Sequence, residues 1–64
     1  MNRLPHWIWQ KLTRAGYANL EEVADYCEVR GKRRKYRVGF IPNVGTISYK
    51  IIVKRMEEKG LWND

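Results

Sequence analysis

The segment Ile41-Pro42-Asn43-Val44-Gly45-Thr46-Ile47-Ser48 is where this chain could bind an anion. A tight turn carrying glycine runs directly into an apolar-periodic stretch that ends at Gly60-Leu61. The first amides of a helix have no internal partner and carry partial positive charge, so a phosphate oxygen is a natural partner for them. The N–H groups of Val44 and Gly45 are the expected phosphate donors. A second anion-binding feature precedes the turn. Six of the 13 Lys and Arg residues lie in one run (Arg30, Lys32, Arg33, Arg34, Lys35 and Arg37) with no acid among them. The other 56 residues carry 7 basic and 7 acidic groups, so the whole net charge of +6 comes from this run. A basic patch on an otherwise balanced small domain points to a polyanionic partner. The plainer alternative is a solvated loop that keeps the protein in solution. The density of the run, and its place just before the turn, favour a functional role.

Catalytic chemistry finds no constellation. His6 is the single histidine and Cys27 the single cysteine, too few ligands for a structural zinc site. Asp25, Glu28 and the other acids form no recognisable pair for acid–base work. Cys27 falls on an apolar stripe and reads as a small core residue, and a lone cysteine suits a reducing compartment. The chain does not start like a signal peptide, and no apolar run is long enough to cross a bilayer. The expectation is a non-enzymatic, cofactor-free cytoplasmic protein, associated with the nucleoid if bacterial.

The elements that must position these groups are mostly helices within one small domain spanning residues 1–64. Pro5 suits a first helical position, Ile8, Leu12 and Ala15 share a face, and Gly16 is a good stop, which predicts a helix over 5–15. Asn19 is a capping residue with Glu22 three positions on, as in a capping box. Leu20, Val23, Ala24 and Cys27 then supply an apolar stripe, which predicts a second helix over 20–27. Residues 28–40, interrupted by Gly31 and Gly39, lack a helical period; a basic hairpin, an ordered loop and a short helix all fit. Thr46 is the expected cap of the last helix, with Tyr49, Ile52, Val53 and Met56 inward and Lys50, Lys54 and Glu57 outward. Gly60 is its left-handed stop, and Leu61 folds back over the last turn. The paired turns at Gly16 and Gly45 suggest a duplicated helix–turn–helix unit. Net stability for a core this small is expected near 3–5 kcal/mol, roughly.

In order, these pieces resemble the C-terminal domain of the bacterial RNA polymerase α subunit, a tandem helix–hairpin–helix fold of the SAM-like class. The stretch Leu12-Thr13-Arg14-Ala15-Gly16-Tyr17-Ala18-Asn19-Leu20-Glu21-Glu22-Val23 is similar to that family's first motif. Ile41-Pro42-Asn43-Val44-Gly45 is similar to its second hairpin, and Ser48, Tyr49, Ile52, Met56, Gly60 and Leu61 fall in step with its closing helix. The resemblance implies a mainly α domain that binds the DNA minor groove, with contacts at Trp7, Gln10, Lys11, Asn43, Gly45, Ile47, Ser48 and Ile51. Trp7 stands where the family has its principal DNA-contacting arginine, and Ile47 where it usually has a lysine. The chain is also longer than the family between Val23 and Ile41, and the added residues are the basic run.

These departures suggest that the cations moved from the first helix to an inserted basic loop or short β-hairpin beside the turn. The expected nucleic-acid contacts are then Gln10, Lys11, Lys32, Arg33, Arg34, Lys35, Arg37, Asn43, Val44, Gly45, Ser48 and Lys50. On that expectation, replacing Arg33, Arg34 and Lys35 with alanine strips most of the electrostatic attraction.

The expected function is non-catalytic binding of nucleic acid, duplex DNA first, in a transcription-related setting. The different-class alternative is a protein-interaction module that docks on RNA polymerase or other transcription proteins through Trp7 and Trp9. These two residues cannot both face one core from positions two apart on a helix. A winged-helix repressor ranks lower, because the segment joining its two helices would be far too long. RNA or ribosome binding is a further alternative.

Overall fold

The computed structural model describes residues 4–62. It is mainly helical, with 59% helix and one small antiparallel hairpin. The order is α1 (His6–Arg14), α2 (Leu20–Tyr26), β1 (Glu28–Val29), β2 (Lys32–Arg33), a 3-10 helix (Lys35–Phe40) and α3 (Thr46–Glu58).

Both ends of the helical pair α1–α2 follow from local chemistry. Pro5 is the N-cap rather than the first helical residue, with ψ 148°. Its carbonyl accepts from the N–H groups of Ile8 and Trp9 at 3.0 and 3.1 Å. At the other end Gly16 takes the left-handed conformation (φ 99°). The Tyr17 N–H then donates to the Leu12 carbonyl and the Gly16 N–H to the Thr13 carbonyl, both at 3.0 Å. This double closure satisfies carbonyls that would otherwise be bare, and it needs a residue without a Cβ penalty at φ > 0. The Asn19 side chain accepts from the Glu22 N–H at 2.9 Å. Glu22 reaches back one residue further than a standard capping box, accepting from the Ala18 N–H at 2.7 Å. Asn19→Ala is expected to lower stability by about 1 kcal/mol, measurable as a fall in the urea midpoint.

The basic segment resolves into two elements. Glu28 pairs with Arg33 and Val29 with Lys32 across the hairpin. Arg30 (φ 53°) and Gly31 (φ 80°) both have positive φ, the mark of the two-residue turn whose twist matches antiparallel strands. Arginine is a poor residue for that conformation, and asparagine a favoured one. Arg30→Asn is therefore expected to raise stability by roughly 0.5–1 kcal/mol, read from the same urea titration.

The 3-10 helix packs against α3, and Gly39 lies beside the Tyr49 ring, where a Cβ would make only an ordinary contact at 3.7 Å. α3 ends as the sequence suggests. Gly60 (φ 71°) lets the Leu61 N–H donate to the Met56 carbonyl at 3.1 Å, and its own N–H donates to Glu57 at 3.0 Å.

One core unites these elements. Leu4, Ile8 and Leu12 meet Leu20, Val23, Ala24 and Cys27, together with Val38, Ile41, Ile52 and Met56. The inward stripes of all three α-helices are thus the expected ones, with Ala15, Tyr49 and Val53 packed at the margin. Across the surface, Lys59 lies 3.4 Å from Glu21 and ties the end of α3 to the start of α2. The Glu21 carboxyl is held below its ordinary value of 4.5, first by its own backbone amide and then by Lys59. That contribution is present above the ordinary carboxylate pKa and is lost as the solution is acidified.

The turn before α3 differs from expectation. Thr46 is the first helical residue and caps nothing with its side chain; Gly45 is the N-cap, in an extended conformation (φ −86°, ψ −178°). The left-handed residue is Asn43 (φ 68°), and the Val44 N–H donates to the Ile41 carbonyl at 3.3 Å. Pro42 and Asn43 are therefore the central residues of a turn with the type II signature, in which the third position needs φ > 0. The turns at Gly16 and Gly45 are not conformational copies. The first bends at glycine, the second at asparagine, and Gly45 is needed neither for its φ nor for space.

Candidate functional site

The structure gathers the first helix and the second turn at one place. Trp7, Gln10, Lys11 and Arg14 of α1 form a cleft of about 330 Å³ with Asn43. The Lys11 ammonium donates to the Asn43 carbonyl at 3.0 Å and lies 6.0 Å from the Trp7 ring centroid. It is thereby held across the gap between helix and turn. Trp7 is 47% exposed, whereas Trp9 packs against the core. Arg14 was not among the residues expected to bind. It occupies the arginine of the Arg-Ala-Gly motif, and a helical-wheel projection one turn beyond Gln10 would have placed it on this face.

Three residues past Asn43, α3 begins without a side-chain cap. The first intrahelical bond is from the Tyr49 N–H to the Gly45 carbonyl, 2.8 Å. The N–H groups of Thr46 and Ile47 therefore precede any intrahelical acceptor, and Gly45, Thr46 and Ile47 are all exposed. Nothing lies within 4 Å of where a Gly45 Cβ would stand. The donors at this turn are Gly45 and the first residues of α3 rather than Val44, whose N–H is already engaged. Ser48 is 3% exposed and belongs to the core margin, not to a contact surface. Ile51 is half-buried, while Lys50 is exposed on the helix one turn in.

The basic run is not a single patch beside this turn. Arg33 donates to Asp25 at 3.0 Å and to the Leu61 carbonyl at 3.4 Å. Lys35 pairs with Glu57. Glu57 lies roughly 16 Å along α3 from Thr46, so both cations sit toward the far end of that helix from Gly45. Arg37 is half-buried, its guanidinium 5.2 Å from the Tyr26 ring and 6.0 Å from that of Phe40. Arg30 and Lys32 are exposed at the hairpin, and Arg34 is half-buried. Acids that look remote in sequence, Asp25 and Glu57, fold back onto the run and neutralise part of it. The expected move of Arg33 and Lys35 to the side of the turn does not match this placement. Lys11 reaches the turn through the Asn43 carbonyl, and Arg14 lines the same cleft.

Metal and thiol chemistry have little to work with. Among the described residues, no group of three or more His, Cys, Asp and Glu is placed to hold a metal ion. Cys27 is fully buried, and burial pushes its thiol up to about 11, with Arg37 opposing the shift. A thiol so raised stays protonated in the folded state at pH values where the unfolded chain ionises. Its contribution to stability is whole below the ordinary thiol pKa and falls as pH rises from there toward 11. Alkylation of Cys27 near neutral pH is expected to run about 100-fold slower in the folded protein than in urea, from thiolate fraction alone. A labelling time course followed by mass spectrometry checks this.

Among the described residues no helix is long and apolar enough to cross a membrane. Comparison with protein families, characterised proteins and solved structures returns no match to this chain.

Proposed function

We propose that this protein is a small tandem helix–hairpin–helix domain that binds duplex DNA without catalysis, in a transcription-related role in the cytoplasm or nucleoid. One observation carries the reading. Lys11 and Arg14 line a cleft with Asn43, and Asn43 lies two residues before Gly45, the N-cap of α3, which has no side-chain cap. Phosphate oxygens of one strand meet the N–H groups of Gly45, Thr46 and Ile47, while Lys11 and Arg14 neutralise neighbouring phosphates. Gln10 and Asn43 supply polar contacts, Lys50 adds charge, and Trp7 lies against the sugar edge. Recognition on this surface is mainly of the backbone, with little base readout.

A labelled duplex titrated at about 50 and 200 mM salt tests it. Binding should weaken steeply with salt. Lys11→Ala with Arg14→Ala should reduce the slope of log K against log salt by about 2, one per lost phosphate contact. Binding by the double variant with unchanged affinity and slope would overturn the assignment.

The exposed indole of Trp7 supports one other reading, a protein-interaction module that anchors on the transcription machinery. It predicts salt-insensitive capture of polymerase that Trp7→Ala abolishes, with no duplex binding at all.

A further inference from the structure

A second surface of the molecule has a different chemistry. Tyr17 and Tyr26 meet edge to face at 5.8 Å. The Arg37 guanidinium lies 5.2 Å from Tyr26 and 6.0 Å from Phe40. Phe40 in turn meets Tyr36 edge to face at 6.0 Å. These contacts make a continuous ladder of four rings and one cation, running from the first turn to the 3-10 helix. Its outer end is open: Tyr36 is 56% exposed and Phe40 63% exposed. Single exposed apolar residues are ordinary, but two touching rings beside a guanidinium are not a scatter.

The charges around the ladder set it apart. Arg33, Lys35, Arg55 and Lys59 each have a carboxylate partner. Arg37 has no carboxylate partner among the described residues, and its buried Nε makes no hydrogen bond among them. It is held by rings instead, which orients the guanidinium without neutralising it. Lys32 and Arg30 stand exposed on the hairpin that precedes the 3-10 helix. The 3-10 helix that carries Tyr36, Arg37 and Phe40 packs against α3.

We infer that Tyr36, Arg37 and Phe40 form a stacking platform for the unpaired bases of a single-stranded nucleic acid. Flat, sequence-tolerant ring faces next to an unneutralised cation are what such strands bind: bases stack on the rings, and the guanidinium meets a phosphate or a base edge. A duplex, with its bases already stacked, offers nothing to these rings. The inference does not depend on the duplex interface at α1 and α3. It adds a preference for nucleic acid with an unpaired segment.

The test is fluorescence anisotropy with labelled oligo-dT and oligo-rU of about 15 nucleotides, within the range of single-strand site sizes, and a blunt duplex. The wild-type protein is compared with the double variant Tyr36→Ser/Phe40→Ser and with Lys11→Ala/Arg14→Ala. Both rings of the first variant are surface groups, and a thermal melt verifies that it folds. The wild type should bind single strands. The ring variant should lose roughly 5- to 150-fold in that affinity for each stacked base forfeited, with duplex binding unchanged. The Lys11/Arg14 variant should show the reverse pattern. A preference for rU over dT would identify RNA as the source of the strand, and the opposite preference DNA. No single-strand binding by the wild type, or binding that survives loss of both rings, overturns the platform whether or not the duplex is bound.

Discussion

Gly45→Asp is expected to weaken duplex binding by at least about tenfold while leaving the domain folded and slightly more stable. The backbone at Gly45 is extended, a conformation open to any residue, and a Cβ there meets no atom within 4 Å. An aspartate in this N-cap position can accept from the N–H groups at the start of α3, which have no side-chain cap. Asp ranks above Gly at the N-cap by a few tenths of a kcal/mol, roughly, and its charge also favours the positive end of the helix. The folded state therefore gains. The interface loses twice, because the carboxylate occupies the donors and repels phosphate. Affinity for a duplex at about 50 mM salt should fall by at least about tenfold, the equivalent of ~1.4 kcal/mol. A melting temperature that holds or rises, paired with weakened binding, separates a ligand-facing role from a structural one. Undiminished binding by Gly45→Asp would remove the amides of α3 from the interface.

Ile52→Ala should unfold most of the molecule. Ile52 is completely buried in the shared core, one turn before Met56. Truncating a buried isoleucine costs about 2–5 kcal/mol, from lost transfer energy and the cavity left behind. A domain this small has about 3–5 kcal/mol in total, so the variant sits near or below its folding midpoint at room temperature. Ile47→Ala is the internal control. It lies on the same helix, is the same residue type and is 69% exposed, so its effect should stay within about 0.5 kcal/mol. Far-UV circular dichroism melts of the two proteins decide the matter. Similar melting temperatures would mean that the inward stripe of α3 is misassigned.

The contrast between these two isoleucines was legible in the sequence, because their spacing against Tyr49, Val53 and Met56 gives them different faces. The contact surface was legible in part. Gln10, Lys11 and Asn43 line one cleft, and Gly45 follows Asn43 two residues later in the chain. Arg14 joined them without being expected. Ser48 turned inward, and Val44 had already used its N–H in the turn. The bend at Asn43 was hidden by the glycine two residues later, since Pro-Asn and Gly both mark turns and only the backbone angles say which residue carries the positive φ.

What the chain determined by itself is what acts over a few residues. Helix spans, the Asn19 cap, the glycine stops at Gly16 and Gly60, and the apolar stripes all rest on bonds and contacts within about one helical turn. Tertiary structure alone decided the electrostatics. A segment that holds the entire net charge in sequence is partly neutralised in space, because Asp25 and Glu57 meet Arg33 and Lys35 across the fold. The same packing delivers Lys11 to Asn43, 32 residues away, and leaves Arg37 between two rings. Coulomb forces act through distance in space, and sequence separation says nothing of that distance until the core has closed.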